Sequence, residues 1–182
     1  VGHSFGSALV QRYALKYPEH VEEMVIVGGI RINNGMSNRF VWKWFGPALY
    51  STAMGFPPTD SAAADAWSMQ SAKKDNPSRL FDKTNTKILE DTGTMTFAPW
   101  LQISLSLTGY DYKTELSQLQ IPTLFIYGTA DSQYTGKPVA DELCATLPNC
   151  QSAAFEKSGH WAFLEEPEKF QQVLTNFLIP IP

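Results

Sequence analysis

The chain has 182 residues, enough for one domain with a buried core, and its 43% hydrophobic and 18% charged content is that of a globular protein. A net charge of −4 without a basic stripe argues against a nucleic-acid partner, and no apolar run approaches the ~20 residues of a membrane span. Cys144 and Cys150 lack metal-ligand spacing and have no histidine nearby; they read as two inert, mostly buried thiols, although six residues of separation permits pairing, and a cytoplasmic setting is favoured.

The first six residues, Val1-Gly2-His3-Ser4-Phe5-Gly6, read as a strand end, a serine and an immediate helix start. Glycines two before and two after a serine make a nucleophile elbow, a turn so tight that neither flanking position is expected to tolerate a side chain. Such a turn holds the Ser4 hydroxyl out at the end of the sheet and aims the Phe5 backbone N–H at a developing oxyanion. No strand precedes this motif within the chain, so the segment reads as the C-terminal part of a longer protein, with little activity expected from it alone.

Residues 7–17 read as a helix with Ala8, Leu9, Tyr13, Ala14 and Tyr17 on one side, stopped by Pro18. Met24-Val25-Ile26-Val27 before Gly28-Gly29 is a strand buried on both faces, and strand, helix and strand together make a βαβ unit. Residues 31–118 are aromatic-rich and punctuated by Gly and Pro, and read as a mainly helical insertion with pieces at 38–54, 60–74, 78–92 and 97–108. The expected domains are therefore a discontinuous core, 1–30 with 119–182, and a lid over 31–118. Ile121 to Gly128 is a second buried strand, a helix runs from Pro138 to about Leu147, and Gln151 to Glu156 is a third strand. Pro167 opens a last helix with a stripe of Phe170, Val173, Leu174, Phe177 and Leu178.

Ser4, Asp131 and His160 each follow a predicted strand, and loops at the carboxyl ends of parallel strands converge on one crevice. A serine hydroxyl needs an adjacent base, and an imidazole base needs a carboxylate to hold its tautomer. His3 reads as a structural neighbour of Ser4, His20 as solvated, and Asp111 and Asp141 as weaker candidates for the acid.

The chain resembles the lid-containing serine hydrolases of the α/β-hydrolase superfamily. The matching pieces are Gly2-His3-Ser4-Phe5-Gly6, Tyr127-Gly128-Thr129-Ala130-Asp131, and Ser158 to Pro167. The resemblance implies a partial α/β-hydrolase fold with a helical lid, Ser4 as nucleophile, His160 as base and Asp131 as its orienting acid. It also implies one oxyanion N–H from Phe5, and a second donor upstream of the elbow. The implied reaction cleaves an ester-type or related acyl bond through an acyl-serine, with no cofactor and no metal, on a small apolar substrate. Alternatives within this resemblance are a C–C bond hydrolase, a cofactor-free perhydrolase, and a non-catalytic binding relative. Oligomeric state stays open.

Overall fold

A computed structural model of the protein describes residues 1–30, 61–90, 95–97, 99 and 112–179. The chain divides into two compact units: Val1–Arg31 with Arg79–Ile88 and Lys113–Pro182, and Ile32–Ser78 with Leu89–Tyr112. Residues 79–88 and 113–118, read above as insertion, group with the first unit. There the Arg79 carbonyl accepts from the His160 N–H (2.9 Å), the Phe81 N–H donates to Glu165 (2.7 Å), and Leu80 and Leu116 are buried.

The first unit is built on four parallel strands in the order β1-β2-β3-β4: β1 (Gly2–His3), β2 (Met24–Val27), β3 (Thr123–Gly128) and β4 (Cys150–Phe155). Every residue of β2 and β3 is buried, which accounts for their unbroken apolar runs. Gly2 pairs with Ile26, Val25 with Leu124, and Leu124 with Gln151, so all four carboxyl ends lie along one rim.

Helix α1 (Phe5–Lys16) returns from β1 along the sheet. Its buried residues are Ser7, Ala8, Gln11 and Ala14, so of the side expected from periodicity the two alanines pack, whereas Leu9, Tyr13 and Tyr17 are exposed. The cause lies at Gly2, where any Cβ would overlap the Gly6 carbonyl: helix and strand come so close that only compact side chains fit between them. Gly6 itself has open space, with nothing within 4 Å of a Cβ placed there. Only the first glycine of the elbow is thus required by the close approach.

Helix α2 (Ser61–Asp75) belongs to the second unit and matches the helical piece expected over 60–74. Over residues 78–90, the described part of the piece expected over 78–92, the chain forms 3₁₀ turns at Asn76–Arg79 and Thr86–Leu89 in place of a helix. Between them Asp82 Oδ1 accepts from both the N–H and the hydroxyl of Thr84 (3.0 and 2.6 Å), a local bond that competes with helical pairing. The pieces expected over 38–54 and 97–108 lie outside the described residues, apart from residues 97 and 99.

Helix α3 (Lys113–Leu116) precedes β3, and α4 (Lys137–Thr146) links β3 to β4. Cys144 and Cys150 form a disulfide, which corrects the expectation of two separate thiols and removes the ground for the cytoplasmic preference. The last turn of α4 and the first residue of β4 are folded back on each other by the link 147–149, leaving the two Cα atoms 4.8 Å apart. After β4 come α5 (Ala162–Glu165) and α6 (Pro167–Leu178). Phe170, Val173, Leu174 and Phe177 of α6 pack on a core of Val25, Val27, Leu124, Ile126, Phe155 and Ala162, while Leu178 stays 42% exposed. Among the described residues no helix is long and apolar enough to cross a membrane.

Candidate active site

The segments that follow the strands carry the candidate residues, or a glycine that makes room for them, to this rim. Ser4 follows β1 with φ 53° and ψ −119°, and among the described residues it is the one non-glycine with positive φ. Such a conformation costs about 1–3 kcal/mol and persists only when the surroundings impose it. The imposing bonds are visible. The Ser4 N–H donates to the Val27 carbonyl (2.9 Å), and the Ser4 carbonyl accepts from the N–H and hydroxyl of Ser7 (3.0 and 2.5 Å). The buried Ser7 hydroxyl accepts in turn from the Ile30 N–H (2.9 Å), which ties the serine turn to the exit of β2. Phe5 opens α1, so its N–H is among those that a helix leaves without an intrahelical acceptor.

Asp131 lies three residues beyond β3 with its side chain fully buried. Its Oδ1 accepts from the Ser132 N–H (2.7 Å) and the Thr135 hydroxyl (2.7 Å), and its Oδ2 accepts from His160 Nδ1 (2.9 Å). Burial works to raise the carboxyl, but the bonds and charge of His160 together with those two donors outweigh it, and Asp131 is held below the ordinary carboxylate value.

His160 lies five residues beyond β4, at the far side of the sheet from β1, yet its loop crosses back over the rim. Its ring centroid is 4.6 Å from that of His3, and His3 Nε2 donates to the His160 carbonyl (2.9 Å). Burial drives the imidazole down to about 4, against the raising effect of Asp131 and with help from the Arg79 and His3 charges. With the Nδ1 proton committed to Asp131, Nε2 carries the lone pair. That atom is buried and without a hydrogen-bond partner. Of the three residues singled out in the sequence, Asp131 and His160 are therefore bonded, while Ser4 follows β1 on the same rim and makes no hydrogen bond to Nε2. Such bonds commonly tighten only when substrate is in place.

Several supporting residues carry no sequence signal of their own. A Cβ on Gly28 (φ +50°) would sit 3.0 Å from His160 Nδ1 and 3.3 Å from Asp131 Oδ2. Glu165 accepts from the N–H groups of Gly159 and Phe81 (2.7 Å each), and Glu166 Oε2 accepts from the Lys157 N–H (2.9 Å) and the Ser158 hydroxyl (2.6 Å). Two adjacent carboxylates thus hold the loop that carries His160. Burial raises the Glu165 carboxyl above its ordinary value, against the lowering effect of those N–H donors. The Arg79 guanidinium is 4.0 Å from Asp131 Oδ1 and lies over the Trp161 ring at 5.6 Å.

The remaining candidates fall elsewhere. Asp141 pairs with Lys137 on the exposed face of α4 (2.7 Å), His20 is exposed beside Glu19, and Asp111 lies outside the described residues. Among the described residues no group of three His, Cys, Asp or Glu side chains is arranged to hold a metal ion.

A family model described as alpha/beta hydrolase fold matches residues 1–167. The chain is 28% identical, over 98% of its length, to a 2-hydroxy-6-oxononadienedioate/2-hydroxy-6-oxononatrienedioate hydrolase of Paraburkholderia phymatum, of which it covers 61%. It is equally 28% identical to part of a polyketide synthase of Burkholderia thailandensis, covering 98% of this chain and 8% of that one. An alpha/beta fold family hydrolase of Bacillus anthracis str. Sterne superposes with a TM-score of 0.68 at 20% identity, over 97% of this chain and 65% of that one. The chain thus spans about three fifths of the length of the curated hydrolase it matches.

Proposed function

The chain belongs to the alpha/beta hydrolase fold family, and we propose that it carries the nucleophile, base and orienting acid of a serine hydrolase acting on an ester-type or related acyl bond. One observation carries this reading: the His160 Nδ1 bond to Asp131 leaves a bare, buried Nε2 at the rim on which the strained Ser4 turn stands. In this mechanism Ser4 Oγ attacks the substrate carbonyl carbon while Nε2 takes its proton, and Asp131 stabilises the imidazolium. The Phe5 N–H donates to the oxyanion of the tetrahedral intermediate. The carbon–oxygen bond to the leaving group then breaks, and the leaving oxygen takes the proton from Nε2. Water, deprotonated by the same nitrogen, releases the acid and restores Ser4. All of these steps use side chains, the Phe5 backbone N–H and water.

The substrate class is a small molecule with an apolar acyl or alkyl part, a choice supported by the aromatic density of residues 32–78 and 89–112, which we read as the lid. A second reading, hydrolysis of a carbon–carbon bond beside a ketone, uses the same three residues; the 28% identical dioate hydrolase favours it.

The test uses the full-length protein with a fluorophosphonate probe, then a panel of p-nitrophenyl esters beside a 2-hydroxy-6-oxo-dienoate. Labelling that disappears in Ser4→Ala is the expected result. Folded protein that is not labelled would sink both readings, and turnover of the dienoate alone would select the second.

A further inference from the structure

We propose that Arg79 is a positioning residue for the base of this site: its guanidinium, 4.0 Å from Asp131 Oδ1 and laid over Trp161, steadies the carboxylate and disfavours a proton on His160. The inference rests on His160 being the general base.

Arg79 meets the His160 loop twice, by different parts of the residue. Its carbonyl accepts from the His160 N–H (2.9 Å), and Gly159 has to be glycine because a Cβ there would overlap that same carbonyl. The backbone of residue 79 is therefore fastened to the loop whatever side chain it bears. Independently of that, the guanidinium reaches the carboxylate oxygen that does not face His160. Asp131 is thus flanked by a fixed positive charge on Oδ1 and by the imidazole on Oδ2. The Trp161 ring lies between 5 and 6 Å from both the guanidinium carbon and the His160 ring, so one indole is shared by the two cations when His160 is charged.

Among the described residues, the charged and titratable groups facing His160 are Asp131 beyond β3, His3 on β1, Arg79 beyond α2, and Glu165 on α5 through the Gly159 N–H. Asp131 favours the imidazolium, whereas Arg79 and a charged His3 oppose it. Of the two opposing groups only Arg79 keeps its charge across the working pH range. It also draws part of the Asp131 field onto itself. The result is a base that stays unprotonated further into acid, at some cost in basicity. With its side chain 31% exposed, Arg79 acts through partial solvent screening, which limits the size of its effect.

The closing experiment follows the His160 Cε1–H resonance by NMR titration in full-length protein, for the unmodified chain, Arg79→Gln and Arg79→Lys. Arg79→Gln raises the His160 midpoint by roughly half a pH unit or more, and the acid limb of fluorophosphonate labelling moves with it. Arg79→Lys keeps a charge but not the flat stack on Trp161, and raises the midpoint less than Arg79→Gln does. An unchanged or lowered midpoint in the glutamine variant overturns the proposal. Should that variant not fold, Arg79→Met takes its place, with the same expected rise and the same overturning result. Because the resonance is read without turnover, a midpoint that moves in protein that is never labelled separates failure of the serine hydrolase reading from failure of this one.

Discussion

Gly28 and His160 share a contact that fixes what residue 28 can be. The glycine sits at φ +50° directly beneath the imidazole, 3.0 Å from Nδ1 measured from where a Cβ would be. Gly28→Ala therefore meets two costs, a backbone conformation that L side chains rarely adopt and a ring that has to tilt away from Asp131. Stability falls by about 1–2 kcal/mol. The larger effect is on labelling, which slows at least ~10-fold because a small misplacement of a reacting group is costly. Urea unfolding and probe kinetics on the same sample check both, and a normal labelling rate would refute the contact's importance.

Glu165 joins two backbone segments with one carboxylate. Glu165→Ala leaves the Gly159 and Phe81 N–H groups without their acceptor, costing about 1–3 kcal/mol of stability. Glu165→Gln retains one acceptor oxygen and recovers part of that loss. Amide hydrogen exchange reports the effect locally: Gly159 and Phe81 lose protection in the alanine variant, while β2 and β3 keep theirs.

The neutral His160 gives stability a defined dependence on pH. Its folded value lies near 4, below the ~6.5 of an unfolded imidazole, so within that window the unfolded chain binds more protons than the folded one. The stabilisation is complete above about 6.5 and declines as pH falls toward 4. His3, also lowered chiefly by burial, acts in the same sense. Asp131, also lowered, acts in the same sense but in a window that lies beneath its unfolded value near 4, and so leaves this one untouched. Urea midpoints recorded from pH 7.5 to 4.5 fall for the unmodified protein and fall less steeply for His160→Gln. Equal slopes would count against a buried neutral imidazole.

The disulfide closes a short loop remote from the serine turn. By the loop-entropy relation a closure of this length contributes at most about 2 kcal/mol. Cys144→Ser with Cys150→Ser lowers the unfolding midpoint accordingly and leaves the labelling rate within about twofold; a collapse of labelling would show that the cross-link reaches the site.

The strands legible beforehand, β2 and β3, are unbroken apolar runs, and such runs are hard to mistake because both faces of the strand are covered. Asp131 follows one of them, whereas Ser4 follows only the two residues of β1 and His160 follows a β4 exposed at Gln151 and Ser152, so those two positions rested on motif rather than on strand pattern. The supporting residues work mainly through backbone groups or a shared loop, so nothing in the identity of Ser7, Arg79 or Glu165 announces them. The helix expected over 78–92 failed for a local reason, the capture of the Thr84 N–H by Asp82, which wins over helical propensity in four residues of sequence. The face of α1 was in part misjudged because close approach at Gly2 selects for small side chains, and hydrophobicity is then a poor guide to which side faces in. Cys144 and Cys150 meet through the path of a three-residue link, a matter of geometry that spacing alone leaves undecided.

The placement of Arg79–Ile88 has a practical bearing on anyone who would re-engineer specificity by transplanting the middle of this chain. A donor cassette spliced in across 31–118 would bring its own residues to the carbonyl beneath His160 and to the carboxylate of Asp131, importing a foreign support for the base along with a new binding surface. Two shorter grafts, 32–78 and 89–112, exchange the same surface while the native decapeptide between them stays behind to serve the imidazole it was shaped around.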